Sequence, residues 1–385
     1  MAWLFNPCHA TLPESLRASP WLARVWQGLA PEEVWDCHVH LAGLGDHPQS
    51  GIVLGPKFST PLHPFYYLQR LFYINAACSK GADCTVDENY ARRLVTLMED
   101  FPPGVKLLLF AFDYLHDEAG RPQAKESAFY IPDDYARRLA EEYPQYFAWA
   151  ASIHPYRPDA LERLEKAIAG GAAAVKWLPA AQRIDPASPL CDAFFALLAR
   201  HDLPLIVHCG KEEAVQTRYL KYGNPLRLRR ALEAGARIVV AHCATTGKDE
   251  DFDHPSGAGT SHCSSFALFA RLMDEPAWRG RLFGDISAIT LRNRRPAIIR
   301  TLLERADWHP RLLNGSDYPL PGIIPLVSPA SLARAGLLPR EATTDLETLR
   351  NYNPLYFDLA VKRLLSWRGQ AFPETVFATR AFFQR

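Results

Sequence analysis

Eight short, nearly continuous apolar runs punctuate the chain, at residues 34–41, 105–113, 147–155, 172–179, 203–210, 237–244, 280–287 and 310–317. Runs of this length suit parallel strands buried on both faces. Between them the pattern shifts to helical period in DDYARRLAEEY (133–143), DALERLEKAIAGG (159–171), CDAFFALLARHD (191–202) and NPLRLRRALEAG (224–235). Two of these carry glycine where a helix C-terminus calls for it. Strand and helix in alternation imply right-handed crossovers and a parallel sheet. Eight such units predict an α/β fold of the (β/α)8, or TIM-barrel, kind. An open doubly wound sheet is the competing architecture, but no GxGxxG follows any strand to support it.

Two stretches break the period. Residues 42–104 are far longer than a strand-to-helix connection needs and hold two helical patterns, FYYLQRLFYINAAC and ENYARRLVTLMED, so they read as an insertion over the barrel mouth. Residues 318–345 are rich in Pro and Leu and lead to a last helix near LYFDLAVKRLLSW. The expected organisation is an N-terminal helical arm (1–33), the barrel (34–365) and a C-terminal tail (366–385).

Composition narrows the class. In 385 residues a hydrophobic share of 48% is ample for a large core, and 43 Lys+Arg against 42 Asp+Glu leave a net charge of +1. That balance argues against a nucleic-acid partner. No run reaches the roughly 18–20 apolar residues of a membrane span, and Pro7 and Pro13 interrupt anything resembling a leader. The eight cysteines lack the spacing of a disulfide framework, so a reduced, cytoplasmic protein is expected. Pairing or metal ligation among Cys78, Cys84 and Cys263 is not expected.

The chemistry sits at the strand ends, where active sites of this architecture lie. The first run closes in His38 and His40, the third in His154, the fourth in Lys176, the fifth in His208, the sixth in His242 and the eighth in Asp317. Five of the 13 histidines thus fall at one rim, which a set of satisfied core histidines does not explain. Alternation along a strand points His38 and His40 the same way. It turns Cys37, Cys209 and Cys243 toward the helices as packing residues. Imidazoles with a carboxylate suit Zn²⁺ best and accept Mn²⁺, Fe²⁺ or Ni²⁺. Such a site lowers the pKa of water to about 7, and Asp317 can move its proton.

With DCHVHL, AAVKWLP, LIVHCG, VVAHCA and NGSDYPLP in place, the chain from about 34 to 320 resembles the amidohydrolase superfamily, and its amidohydrolase-2 branch of TIM-barrel metal-dependent hydrolases in particular. The resemblance implies that His38, His40 and Asp317 bind one divalent metal. His208 and His242 then bind a second, or His208 joins the first site while His242 contacts the reacting group. It implies for Lys176 either a carboxylated bridge between two ions or an ordinary amine beside one.

Three readings follow for a small-molecule substrate, an anionic one included. The first is metal-dependent hydrolysis of an amide, lactone or ester, with Asp317 as general acid/base and His242 assisting. The second is non-oxidative decarboxylation of an aromatic or unsaturated acid, which a single ion and an unmodified Lys176 would favour. The third is a barrel that binds metal or ligand without turnover. Arg157, Lys211 and Arg292, with His154, are the expected substrate contacts, since cations at a mouth hold an anionic small molecule well. Arg294 and Arg295 are expected at the surface, and His254 and His262 on a long mobile loop after the sixth strand. Homo-oligomerisation is compatible with all three readings.

Overall fold

The computed structural model describes residues 5–80, 84–212, 214–215, 217–254 and 261–384. Residues 255–260, part of the long loop expected after the sixth strand, lie outside that set.

Each of the eight apolar runs forms a strand: β1 (Trp35–His40), β2 (Lys106–Phe110), β3 (Phe147–Ala151), β4 (Ala174–Trp177), β5 (Leu205–His208), β6 (Ile238–Ala241), β7 (Leu282–Asp285) and β8 (Leu312–Leu313). They pair in sequence order into one eight-stranded sheet, parallel throughout. Cys37 N donates to Asn314 O (2.9 Å) and Asp317 N to His38 O (2.8 Å), which brings β1 against the end of β8 and closes the barrel.

The expected helices cover the outside. Helix α3 spans Asp133–Glu142, α4 Ala160–Ala169 and α5 Asp192–Arg200, while α6 (Arg229–Glu233) is preceded by a 3₁₀ turn at Pro225–Leu228. Gly171 and Gly235 follow α4 and α6 with φ of 77° and 90°, the left-handed geometry that glycine adopts without a Cβ penalty. Apolar side chains on the outer face of the sheet fill the layer beneath these helices. Trp177, fully buried on β4, packs its ring 5.2 Å from Phe194 of α5. Burying a side chain of this class contributes about 1.5–3 kcal/mol.

The barrel interior is a second, smaller core of Trp35, Leu108, Phe110, Ala150, Ala174, Ile206, Val239 and Leu313. The C-terminal tail stops its lower end. Phe383 stacks on Trp35 at 6.3 Å, and Phe382 meets Phe283 edge-on at 4.6 Å.

Cys37 belongs to this interior core, which corrects the expectation that it faces the helices. Asp36 pairs with Leu107 but Val39 with Leu109, so β1 carries one extra residue against β2. Such a bulge breaks the alternation and turns Cys37 inward. Cys209 and Cys243 do pack on the outer side, in the layer that includes Phe269.

Residues 42–104 hold α1 (Pro64–Ala76) and α2 (Val86–Met98). Tyr90 of α2 donates from its hydroxyl to His40 O at 2.5 Å, tying the segment to the end of β1. Tyr73 and Gln69 of α1 both donate to Ala214 O (2.5 and 2.9 Å), so α1 reaches across the mouth to the loop after β5. The N-terminal residues run beside α1, with Asn6 N donating to Asn75 Oδ1 at 2.8 Å. There Cys8 and Cys78 form a disulfide across a sequence separation of 70, a correction to the expectation of wholly reduced cysteines. Among the described residues no helix is long and apolar enough to cross a membrane.

Candidate metal centre

The bulge in β1 aims both histidines of the first strand into the upper barrel, where their rings pack on Phe110 at 4.8 and 5.4 Å. Asp317 follows β8 in left-handed backbone (φ 63°), and His242 follows β6 likewise (φ 55°). Non-glycine residues in that region cost on the order of 1–3 kcal/mol and persist only where their surroundings hold them. Here both turns deliver a side chain to one point. Asp317 Oδ1 lies 3.2 Å from His40 Nε2 and 3.5 Å from His38 Nε2, and its Oδ2 lies 3.7 Å from His242 Nε2. Lys176 Nζ stands 3.2 Å from His38 Nε2, and the His208 ring is 5.2 Å from that of His242.

Beneath this cluster lies a residue that the strand-end reading passed over. Asp285, the last residue of β7, sets Oδ2 2.8 Å from His38 Nδ1. Its Oδ1 accepts the N–H of His242 (2.9 Å) and of Ser287 (3.0 Å), and also the Ser287 hydroxyl. With its proton committed to Asp285, the Ser287 oxygen is left to accept from His242 Nδ1 at 2.7 Å. Both His38 and His242 therefore carry their proton on Nδ1 and offer a bare Nε2 lone pair to the cavity. Glu212 does the same for His208, with Oε2 3.2 Å from Nδ1. Asp285 ends GRLFGDIS as Asp317 ends its own strand, so the same signal could have found it.

The electrostatics agree with lone pairs facing inward. Burial pushes the His38 imidazole down to about 3, with Lys176 adding to the effect, and His242 down to about 4. Burial, reinforced by His242, holds His208 well below the usual imidazole range. Burial works to raise Asp317, but His242, His40 and His38 outweigh it and keep the carboxylate anionic. Burial also lowers the Lys176 ammonium, toward the neutral amine.

Neutral imidazoles around a carboxylate are the donors of a divalent metal site. His38, His40 and Asp317 offer atoms all within 4.8 Å of one another. Among the described residues His208 Nε2 is buried without a hydrogen-bond partner, an arrangement that is costly unless something binds there. The residues present fit a metal.

The cluster floors a cavity of about 600 Å³, bordered also by Lys211, Glu212 and Arg294. The other expected contacts lie elsewhere. Arg292 is exposed, and it is Arg294 of the same loop that borders the cavity. Arg157 pairs with Asp113 (3.2 Å) and Asp159 (2.8 Å). His154 is fully buried, its Nε2 donating to Gln182 O at 2.9 Å and its Nδ1 accepting from Tyr156 N. The described His254 and His262 flank the loop segment outside the described residues and are not among the residues that border the cavity.

Among solved structures the chain is similar to an uncharacterised TIM-barrel protein from Bordetella bronchiseptica (14% identity, covering 74% of this chain and 86% of that one, TM-score 0.46). It is also similar to a 2,6-dihydroxybenzoate decarboxylase from Rhizobium (12%, 85% and 98%, TM-score 0.41). A third is a 5-carboxyvanillate decarboxylase from Novosphingobium aromaticivorans with bound manganese (11%, 92% and 99%, TM-score 0.48). No curated protein matches. A family model described as amidohydrolase matches residues 35–323, the whole barrel from β1 to just beyond Asp317, and the chain belongs to that family.

Proposed function

We propose that the protein is a metal-dependent hydrolase acting on the amide, lactone or ester bond of a small molecule. The observation that carries this reading is the convergence of three Nε2 atoms, from His38, His40 and His242, on the two oxygens of Asp317 (3.5, 3.2 and 3.7 Å). His38, His40 and Asp317 would hold a first ion, with zinc the best match to the donors. His208 and His242 would serve a second, and Lys176, as its carbamate, would be a further ligand. When bound, such ions polarise a carbonyl and acidify water.

The chain's own residues do the rest. Asp317, kept anionic by the surrounding imidazoles, accepts a proton from water on the cavity side and returns it to the departing nitrogen or oxygen. His242, its Nδ1 proton held by Ser287, keeps its Nε2 lone pair turned to the same space as a ligand or proton acceptor. Asp285 keeps the His38 ring from turning and fixes the backbone of His242. The apolar walls above exclude bulk water, which strengthens each of these interactions.

A second reading, decarboxylation of an unsaturated acid, is favoured by Lys211 and Arg294 at the cavity, since two cations can hold a carboxylate. A panel of lactones, amides, esters and aromatic acids, assayed with zinc- and manganese-loaded protein, separates the two. Turnover of the first three classes and not the acids supports hydrolysis; carbon dioxide release from an acid overturns it.

A further inference from the structure

Above its floor of buried histidines and carboxylates the cavity is lined largely by apolar side chains. Its upper wall is built by one face of α1, on which Phe65, Leu68 and Phe72 stand at helical spacing and all border the cavity. Leu320, Ile323 and Leu326, from the chain after β8, add to the apolar lining. This wall does not end where the cavity does. Phe65 is 68% and Leu68 53% exposed, so the same helix face continues as an apolar lip into solvent. Scattered exposed apolar residues need no explanation, but an apolar surface running unbroken from a reactive floor to the outside does.

We infer that the substrate is an amphiphile: a polar, scissile head that reaches the strand ends, followed by an extended acyl or alkyl chain lying along α1 and leaving past Phe65. The inference rests on the hydrolase reading for the nature of the head, not for the chain. A compact polar substrate would leave the wall wet and draw nothing from it. A chain entering head-first buries apolar surface along its length, worth roughly fourfold in affinity for each fully buried methylene. The occupant is argued to be the substrate and not a second copy because α1 is already turned to the cavity. Its Gln69 and Tyr73 hold Ala214 O across the mouth, and its apolar face continues from there.

The test is calorimetric binding of alkyl hydroxamates, from acetyl to dodecanoyl, to the full zinc-loaded chain, with turnover of the matching esters measured in parallel. Affinity is expected to rise roughly two- to fourfold per methylene through the middle of the series. In Phe65→Ser and Leu68→Ser the ratio of dodecanoyl to acetyl affinity should fall about tenfold or more, and Phe65→Leu should restore it. A flat series, or a slope that both serine variants leave intact, overturns the inference. So does sedimentation showing that the serine variants convert a dimer to a monomer without changing that slope. A chain-length slope with no ester turned over sustains the amphiphile and removes the hydrolase. Esters turned over with no dependence on length do the reverse.

Discussion

Asp285 Oδ2 lies 2.8 Å from His38 Nδ1, and the other oxygen of the same carboxylate accepts the backbone N–H of His242 at 2.9 Å. One side chain behind the site thus sets the tautomer of one candidate ligand and the position of another. Partners of this kind raise ligand basicity and typically govern metal affinity by about 10–100-fold. Asp285→Asn keeps an oxygen for His242 N while removing the charge behind His38. Zinc affinity, by competition with a chelating dye, should drop by that factor in a protein that still folds. An unchanged affinity would remove Asp285 from the account.

On the hydrolase reading Asp317 has two roles, as ligand and as proton carrier, and asparagine separates them. In Asp317→Asn, kcat should fall by roughly 10²–10⁴ while part of the metal is retained. Loss of metal and activity in proportion would reduce Asp317 to a ligand alone.

Lys176 is fully buried beside His38, and the hydrolase reading makes it a carbamate that would help hold the metal. Intact mass under native conditions should exceed the sequence mass by one carbon dioxide per chain in addition to the metal. Lys176→Met should lose that mass and the second equivalent of zinc together. An unmodified lysine with a single equivalent in the wild type shifts the account to decarboxylation.

Below β1, helix Pro354–Leu364 buries Asp358 against Lys362, whose ammonium also donates to Gly315 O next to the site. Burial pushes the Asp358 carboxyl from 3.8 up to about 7, against the pull of Lys362. Between those values the folded chain binds more protons than the unfolded one, so this group makes stability fall as pH rises from about 4 to 7 and level off above. Denaturant titrations across that range should show a shallower fall in Asp358→Asn, although its absolute stability is lower for want of a partner to Lys362. The same slope in both proteins would contradict the assignment.

The barrel was legible because each strand is apolar on both faces, a property of the local sequence. His38, His40, His208, His242 and Asp317 were legible because they end those strands. What escaped depends on pairing between segments. The bulge that turns Cys37 inward exists only in the register of β1 against β2, and neither strand encodes it alone. Cys8 finds Cys78 across 70 residues because the N-terminal arm folds back along α1. Arg294 in place of Arg292 at the cavity follows from the course of a loop. Asp285 is the instructive omission, since it ends a strand in plain view but faces the back of a histidine.

The most direct measurement is the zinc content of purified protein loaded with excess metal and dialysed, in the wild type and in His40→Ala. The account predicts two equivalents in the wild type, with loss of at least one in the variant and of catalytic turnover with it. A wild type that retains no divalent metal, or a His40→Ala protein that binds as much as the wild type, would contradict the claim that this histidine cluster is a metal centre.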